Sequence, residues 1–346
     1  MSEQYRALQV TKPGRFEMVM RRLVDPCVDE VRIRVEACGV CHSDAATVDG
    51  SFRGVIYPRV PGHEVIGKID AIGDGVTGWK IGQRVGVGFL GGHCGYCQFC
   101  RRGDFVNCQN QPISGLIRDG GYAEVMFAKT SGLAEIPDQL NSIEAAPLLC
   151  AGLTTFNALR HSPARPGALV AVHGIGGLGH LAIQFACGMG FRVTAIARGA
   201  EKGPLAKKLG AHHYIDSEAE NTAVALQKLG GASVILTTVS NGKAISPLVA
   251  GLAPGGRLIV LGLASDSIEA SPISLIFAER SIAGSLTGSA IDNEDTLAFS
   301  VQENVRPMIE SVPLEEAPQA YQRMLNDDAR FRMVLTTGAA PASTTA

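Results

Sequence analysis

Apolar and polar positions alternate in short runs over the first part of the chain. The stretch VRIRVEACG, from Val31 to Gly39, changes character at almost every step, and EVIGKIDAIG and QRVGVGF follow it. Alternation with a period of two places one face of a strand in the core and the other face towards solvent. Glycines and prolines separate these runs, so the chain from Gln9 to about Pro147 is predicted to be mostly β.

A different pattern begins near Ala151. Continuous apolar runs such as ALVAVHG, RVTAIA, ASVILTTV and GRLIVLGL alternate there with helical stretches such as GLGHLAIQFACGMG and EKGPLAKKLG. Buried strands joined by crossover helices indicate a doubly wound parallel sheet. After about Ser289 this alternation fades. The stretch MIESVPLEEAPQAYQRMLNDDARFRMVL is predicted to form one helix and a closing strand that return to the first domain.

Length and composition narrow the class of protein. A chain of 346 residues is too long for one ordinary core, so two domains are expected. Its net charge of -2 gives no reason to expect nucleic acid or a membrane as a partner. The N-terminal MSEQYRALQV lacks the features of a secretory signal, and without one the nine cysteines are more typical of metal ligands or free thiols than of disulfides. We therefore expect a cytoplasmic protein.

A glycine-rich loop separates the strand VAVHG from the helix that follows. Gly174, Gly176 and Gly179 have G-x-G-x-x-G spacing, and Gly177 and Leu178 lie inside the loop. The glycines allow a tight turn, close approach of a pyrophosphate and close helix–strand packing, and the helix N-terminus offers free amides to the anion. Within a strand–turn–helix this pattern predicts a dinucleotide site, with a purely structural turn as the alternative.

The end of the next strand bears on the choice of coenzyme. NAD-preferring domains usually carry an acidic residue there, which binds the ribose 2′-hydroxyl. Ala197 occupies that position in this chain and Arg198 follows it. The missing carboxylate removes repulsion of a 2′-phosphate and the guanidinium attracts one, so NADP(H) is favoured over NAD(H). Lys202 is a second candidate contact, and the alternative for both basic residues is a solvated surface charge.

The stretch GGHCGYCQFCRRGDFVNC carries four cysteines within fifteen residues. Four thiolates can close around one tetrahedral Zn²⁺ and leave no position for substrate, which makes such a site structural. An iron–sulfur cluster is the rival interpretation, but a ferredoxin run continues with a cysteine after three residues, whereas seven intervene here. We predict a structural zinc lobe at residues 91–110, held by Cys94, Cys97, Cys100 and Cys108.

Three further metal-type residues stand far apart in the chain. Cys41 lies in GVCHSD, His63 in VPGHEVIG and Cys150 in PLLCAGLTTFNAL. Each residue alone is more often structural than a ligand. Together they supply two thiolates and one imidazole, the set that holds catalytic zinc in alcohol dehydrogenases with a fourth position open.

Taken in order and approximate spacing, these five motifs resemble the zinc-dependent medium-chain alcohol dehydrogenases, and in particular NADP-preferring bacterial-type members, over nearly the whole chain. The resemblance implies an α/β protein with two domains. A GroES-like, mostly β catalytic domain would comprise residues 1–152 and 290–346. A Rossmann domain with a doubly wound parallel sheet would be inserted between them at residues 153–289.

The same resemblance implies roles for the residues around the catalytic metal. Cys41, His63 and Cys150 would be its ligands, so that the chain would hold two Zn²⁺ in all. Glu64 matches a nearby carboxylate that can approach the metal. Asp44 matches a residue that fixes the imidazole of His63.

Further residues match the proton path, the coenzyme contacts and the substrate pocket of that family. Ser43 would relay the alcohol proton towards the coenzyme ribose, and Ala46 stands where many members have a histidine that passes the proton to solvent. A turn, surface or core role is the alternative for each of the remaining matches, which are His42, Thr154 and Arg332 on the coenzyme and Phe52 and Phe89 in the pocket.

The implied reaction moves a hydride between NADP(H) and a primary alcohol or aldehyde, with aromatic and medium-chain compounds as candidates. Aldehyde reduction is favoured because of the inferred coenzyme. Two alternatives stay open: an NAD-dependent alcohol, polyol or formaldehyde-type dehydrogenase, and a non-catalytic NADPH-binding protein. A small molecule is the expected partner, and a homodimer or homotetramer is the expected assembly.

Overall fold

The computed structural model describes residues 3–52 and 54–338 of the chain. In this described part the polypeptide forms two compact units. The first unit takes its residues from the segments Met1–Cys150, Gly288–Val301 and Pro307–Ala346, and the second unit from Ala151–Thr287 and Gln302–Arg306. The domain boundaries predicted from the sequence, at residues 152 and 290, lie close to these divisions. They do not include the short segment 302–306, which belongs to the second unit.

Strands dominate the N-terminal segment of the first unit. Strand β3 shows why, because its residues alternate between buried and half-buried positions until the strand becomes fully buried near Cys38. The elements of this segment are β1 (Gln4–Lys12), β2 (Arg15–Arg22), β3 (Glu30–Val40), α1 (Ala45–Val48), β4 (Val65–Ile72), β5 (Arg84–Val87), β6 (Val125–Lys129), β7 (Leu133–Glu135) and α2 (Ser142–Ala145).

Strands and helices alternate through the second unit, in agreement with the apolar runs of the sequence. Strand β8 is buried at every position, as expected for the centre of a parallel sheet. The elements are α3 (Ala151–Arg160), β8 (Leu169–His173), α4 (Gly179–Gly188), β9 (Arg192–Ala197), α5 (Gly203–Lys208), β10 (His213–Asp216), α6 (Thr222–Lys228), β11 (Ala232–Thr237), α7 (Gly242–Ile245), β12 (Leu252–Val260), α8 (Pro272–Ile276) and β13 (Ser281–Gly284).

The C-terminal part returns to the first unit with more structure than the sequence predicts. A strand precedes the expected helix and pairs in parallel with the closing strand. The stretch IESVP is short and only half-buried, so its alternation was too weak to separate it from a loop. The elements are α9 (Ala290–Gln302), β14 (Ile309–Pro313), α10 (Ala317–Leu325) and β15 (Arg332–Thr336).

The sheet of the first unit brings distant segments of the chain together. Its strand order is β14-β15-β3-β4-β5-β7, and β6 also pairs with β3. Antiparallel pairing sets Cys38 of β3 opposite Val65 of β4 and Gly39 opposite Val334 of β15. The end of β3, the start of β4 and strand β15 therefore meet at one place in the sheet.

The second unit contains a six-stranded parallel sheet with the order β10-β9-β8-β11-β12-β13. Strand order reverses between β8 and β11, and such a switch point leaves a crevice at the carboxyl ends of the strands where ligands bind. The glycine loop follows β8 at this point. The predicted class, a mostly β domain combined with a Rossmann-type doubly wound sheet, is thus confirmed. Among the helices of the described residues, none combines the length and apolar character needed to cross a membrane.

Candidate functional site

The three scattered metal-type residues meet in the first unit. Cys41 directly follows β3, His63 and Glu64 directly precede β4, and Cys150 follows a 3₁₀ turn at Ala146–Leu149. All four side chains are buried, and one ligand atom of each lies within 4.8 Å of the others. The Sγ atoms of Cys41 and Cys150 are 3.8 Å apart. Two sulfurs bound at about 2.3 Å to one tetrahedral zinc stand about 3.8 Å apart, whereas a disulfide needs about 2.05 Å.

The imidazole of His63 supplies a second indication that these residues fit a metal. Its Nδ1 lies 2.9 Å from Oδ1 of Asp44. Its Nε2 is buried and has no hydrogen-bond partner among the residues that the structure describes. A buried polar atom without a partner is costly unless something else satisfies it. When Nδ1–H donates a hydrogen bond to Asp44, Nε2 carries the lone pair that Zn²⁺ requires.

The two thiols of this cluster differ in acidity because they share a hydrogen bond. That bond lowers the pKa of Cys41 well below its usual value, and His63 acts in the same direction against the effect of burial. The same bond and burial raise the pKa of Cys150. The shared hydrogen bond thus favours ionisation of Cys41, and the thiolate is the form that binds metals.

Glu64 forms a buried ion pair beside the cluster. Its Oε1 accepts a hydrogen bond from the Arg332 guanidinium, whereas its Oε2 is buried without a partner in the described part of the chain. Burial raises the pKa of Glu64 to about 7, although Arg332 opposes the rise. Arg332 itself is only 4% exposed on β15. A contact between Arg332 and a coenzyme pyrophosphate stays a prediction, since the structure describes only its pairing with Glu64.

The carboxylate of Glu64 occupies space that is available only because residue 39 is glycine. A Cβ on Gly39 would lie 1.8 Å from Oε2 of Glu64. The backbone N–H of Gly39 also donates to the carbonyl of Glu64 at 3.0 Å. Inspection of the sequence did not single out Gly39, because nothing along the chain shows that β3 and Glu64 approach so closely.

The turn after Cys41 carries the other residues expected near the metal. A 3₁₀ turn spans His42–Asp44, with His42 exposed, Ser43 half-buried and Asp44 buried. Along the chain, Ser43 therefore lies between Cys41 and Asp44. Ala46, at the position of the missing histidine, is half-buried in α1.

The two predicted pocket aromatics have different surroundings. The ring of Phe89 packs edge-to-face on the ring of His63, with centroids 5.2 Å apart. Phe52 is 42% exposed, and its backbone N–H donates to the Ala46 carbonyl at 3.4 Å. The structure thus brings Phe89, but not Phe52, into contact with a metal-type residue. Their roles towards substrate stay predictions.

The four-cysteine lobe forms a second cluster that suits a metal. The Sγ atoms of Cys94 and Cys100 are 3.9 Å apart, close to the spacing on a tetrahedral zinc. Backbone N–H groups donate to the sulfurs, as from Cys97 to Cys94 at 3.4 Å. Burial opposes ionisation, but hydrogen bonds from Asn110 and the backbone lower the pKa of Cys94 to about 6. The members of this cluster are Cys94, Cys97, Cys100 and Cys108.

The glycine loop of the second unit has the geometry of a phosphate cradle. It runs from β8 to the first residue of α4, which is Gly179. A Cβ on Gly179 would lie 1.8 Å from the carbonyl oxygen of Gly174, so only glycine permits this approach. A Cβ on Gly176 would meet nothing within 4 Å, which leaves that face of the loop open to a ligand. The intervening Gly177 and Leu178 are half-buried.

Four further residues expected around the coenzyme lie in the second unit, whereas His42 and Arg332 belong to the first. Ala197 ends β9 and is buried, Arg198 after it is exposed, and Lys202 is half-buried in a 3₁₀ turn. Thr154 is buried in α3 and its hydroxyl donates to the Thr287 hydroxyl at 3.4 Å. A residue that sequence inspection missed is Asp216, which pairs in register with Ala197 from strand β10. Only the strand order reveals this neighbour.

Comparison with known proteins agrees with this geometry. Models of the alcohol dehydrogenase GroES-like domain and of zinc-binding dehydrogenases match residues 28–138 and 177–302. The alcohol dehydrogenase patD of Penicillium expansum is 44% identical over 311 residues, which cover 90% of this chain and 91% of that protein. An alcohol dehydrogenase of Geobacillus stearothermophilus is 39% identical over 308 residues, 88% of this chain and 91% of that protein.

A solved structure extends the likeness to three dimensions. A cinnamyl alcohol dehydrogenase of Sorghum bicolor, SbCAD4, superposes with a TM-score of 0.88 at 30% identity and covers 99% of this chain and 100% of its own. Sequence models, full-length relatives and fold therefore agree. The chain belongs to the zinc-type, medium-chain alcohol dehydrogenase family.

Proposed function

We propose that this alcohol dehydrogenase is a zinc-dependent enzyme that transfers a hydride between NADP(H) and a primary alcohol or aldehyde. The observation that carries the proposal is the buried convergence of Cys41, His63 and Cys150. Their sulfur spacing is that of a zinc site, and the imidazole Nε2 has no partner within residues 3–52 and 54–338. We place a second, structural zinc in the four-cysteine lobe.

Different residues of the chain orient the metal ligand and transfer the proton in the proposed reaction. When bound, Zn²⁺ supplies a Lewis acid for the substrate oxygen and the nicotinamide supplies the site of hydride transfer. Asp44 accepts a hydrogen bond from the Nδ1–H of His63 and so leaves the Nε2 lone pair for the metal. Ser43, one residue from Asp44 and two from Cys41, takes the proton of the alcohol. In the direction of aldehyde reduction, which we favour, Ser43 returns that proton.

Two features support NADP(H) as the coenzyme. Ala197 provides no carboxylate at the end of β9, and the exposed Arg198 beside it is free to meet a 2′-phosphate. On the neighbouring strand β10, the carboxylate of Asp216 is in register with Ala197. Its Oδ1 accepts the backbone N–H groups of Gly199 at 2.9 Å and Glu218 at 3.0 Å.

Asp216 also supplies a specific observation in favour of the NAD-dependent alternative. A carboxylate in register with Ala197 could bind a ribose hydroxyl through its second oxygen. Measurement of kcat/KM with NADPH and NADH separates the two cases. The variant Ala197→Asp/Arg198→Gln should shift preference towards NADH by tenfold or more, and an unchanged ratio would overturn the assignment. A loss of NADH turnover in Asp216→Asn would favour the alternative.

An aromatic or medium-chain substrate is supported by the aromatic ring of Phe89 against His63 and by the fold shared with a cinnamyl alcohol dehydrogenase. A screen of aldehydes and alcohols with both coenzymes tests the function as a whole. We expect reduction of aromatic or medium-chain aldehydes with NADPH. Strong preference for NAD⁺-linked oxidation of a polyol would favour that alternative, and no turnover by zinc-loaded protein would favour a non-catalytic coenzyme-binding protein.

We also propose that the protein forms a homodimer or homotetramer in the cytoplasm. Strand β13 is an edge of the parallel sheet, and exposed apolar side chains flank it, among them Phe277, which is 87% exposed. All nine cysteines lie in the described ranges and are free thiols, which suits a reducing compartment. Sedimentation should show a dimer or larger species that Ile282→Lys in β13 weakens. Val28→Lys, on the first unit, is the control. A monomeric wild type would contradict the proposal.

A further inference from the structure

Asp44 accepts more hydrogen bonds than its role towards His63 requires. Its Oδ1 faces Nδ1 of His63 at 2.9 Å. Its Oδ2 accepts the backbone N–H of Cys41 at 3.0 Å and the phenol O–H of Tyr122 at 2.9 Å. One buried carboxylate thus connects two residues of the metal cluster to a tyrosine that lies 78 positions further along the chain.

Tyr122 is held rigidly in the position from which it reaches Asp44. Its side chain is 0% exposed. Its backbone N–H donates to the Pro61 carbonyl at 3.0 Å and its carbonyl accepts the N–H of Leu8 at 2.8 Å. These two bonds hold the backbone of Tyr122 on both sides. Its buried phenol O–H can therefore donate to the Asp44 carboxylate without rearrangement.

The segment before His63 is shaped to receive this ring. Gly62 has a φ of +100°, and a Cβ there would lie 2.5 Å from Cδ1 of Tyr122. Gly121 also donates its N–H to the Gly62 carbonyl at 3.2 Å. Glycine is required before His63 because any side chain at position 62 would displace the ring of Tyr122. The same stretch of chain carries the ligand and the surface against which Tyr122 packs.

We propose that Tyr122 is a positioning residue for the metal site, acting through Asp44. Its hydroxyl fixes the rotation of the Asp44 carboxylate so that Oδ1 faces His63 and Oδ2 faces the Cys41 backbone. Without that hydroxyl, Oδ2 keeps one donor, and the carboxylate can rotate away from the imidazole. Ligand orientation at His63 then loosens, and loss of such outer partners lowers metal affinity by about 10–100-fold. Tyr122 acts through one intervening group, so we expect a change near tenfold.

The test compares zinc affinity in Tyr122→Phe and wild type by competition with a chromophoric chelator. Zinc in the four-cysteine lobe is an internal reference because Tyr122 makes no described contact with that cluster. Tyr321→Phe is the matched control: Tyr321 is also buried, at 1% exposure, and its hydroxyl donates to the carboxylate of Asp49 at 3.2 Å. We expect about tenfold weaker binding of the catalytic zinc in Tyr122→Phe alone, with the lobe zinc unchanged.

Substitution of Co²⁺ for Zn²⁺ gives a readout that does not depend on turnover. The visible absorption of Co²⁺ should change in Tyr122→Phe and remain that of wild type in Tyr321→Phe. In an Asp44→Asn background, Tyr122→Phe should have little further effect on zinc affinity, since both substitutions interrupt one path. Independent effects of the two substitutions would contradict an action through Asp44.

The inference rests on the proposed function, but the two fail in different ways. A wild-type protein that binds zinc only in the four-cysteine lobe would refute the proposed function. A wild type with both zincs and a Tyr122→Phe variant of equal affinity and spectrum would refute only the role of Tyr122. If Tyr122→Phe failed to fold while Tyr321→Phe folded, the hydroxyl would belong to the fold rather than to the metal site, and that result would also contradict the proposal.

Discussion

Replacement of Gly39 by alanine tests whether the buried Glu64 carboxylate depends on space that only glycine leaves. The new Cβ would lie 1.8 Å from Oε2 and 2.8 Å from Cδ of Glu64. Non-bonded carbon and oxygen atoms keep roughly 3 Å or more, so the carboxylate must move by about 1 Å or more. The backbone has little freedom to yield, because Gly39 is paired with Val334 of β15 and its N–H is bonded to Glu64.

The size of the effect follows from what that movement breaks. Glu64 is 0% exposed and its ion-pair partner Arg332 is 4% exposed. Separation of a buried pair costs about 3–5 kcal/mol of unfolding free energy. For a unit of roughly 150–250 residues each kcal/mol lowers Tm by about 2–4 °C. We therefore expect Gly39→Ala to lower the Tm of the first unit by at least ~6 °C.

Scanning calorimetry on four proteins measures this effect: wild type, Gly39→Ala, Glu64→Asp and the double variant. Aspartate draws the carboxylate away from the new Cβ by one methylene. Glu64→Asp should therefore cost less stability in the Gly39→Ala background than in wild type. An unchanged Tm in Gly39→Ala, or strictly additive losses in the double variant, would refute the argument that this glycine exists to house Glu64.

Three further predictions concern other parts of the molecule. Burial lowers the pKa of His173 to about 4 from 6.5. Its contribution to stability is therefore complete above pH 6.5 and is lost as the pH falls towards 4, by up to ~3 kcal/mol. His173→Gln should flatten the stability curve between these pH values, and parallel curves would contradict this. Cys100→Ser should release the lobe zinc and expose residues 91–110 to proteolysis while catalytic zinc remains; an intact lobe would argue against a structural metal. Phe89→Ala should raise KM for a benzylic substrate by about tenfold with little change in the coenzyme KM, and a loss confined to the coenzyme KM would remove Phe89 from the pocket.

Patterns of apolar residues and of metal-type residues predicted most of the architecture. Alternation identified β3 and β4, and the run around Val170 identified the central strand of the parallel sheet. The types of the metal-binding residues predicted the site. Cys41, His63 and Cys150 together supply the two thiolates and one imidazole of a catalytic zinc site, and the family resemblance supported this grouping. Short amphipathic runs such as β14 were missed because few residues carry their signal.

Contacts that depend on strand register could not be predicted. Glu64 pairs with Arg332, 268 residues away, and Asp44 accepts a hydrogen bond from Tyr122 in addition to its contact with His63. No local sequence pattern identifies Arg332 as the partner of Glu64 or Tyr122 as a partner of Asp44. Gly39 shows the same limit, because its reason lies in a neighbouring segment that the sheet brings within contact distance. Asp216 becomes a candidate coenzyme contact only because β10 pairs with β9 in the sheet.

Metal analysis of the purified protein measures whether the chain holds a catalytic zinc in addition to the zinc of the four-cysteine lobe. We expect two Zn²⁺ per chain in wild type and one in His63→Ala, with the remaining ion lost only when Cys97 is also replaced by serine. A wild type with a single Zn²⁺ that persists in His63→Ala would contradict the claim that Cys41, His63 and Cys150 form a catalytic zinc site.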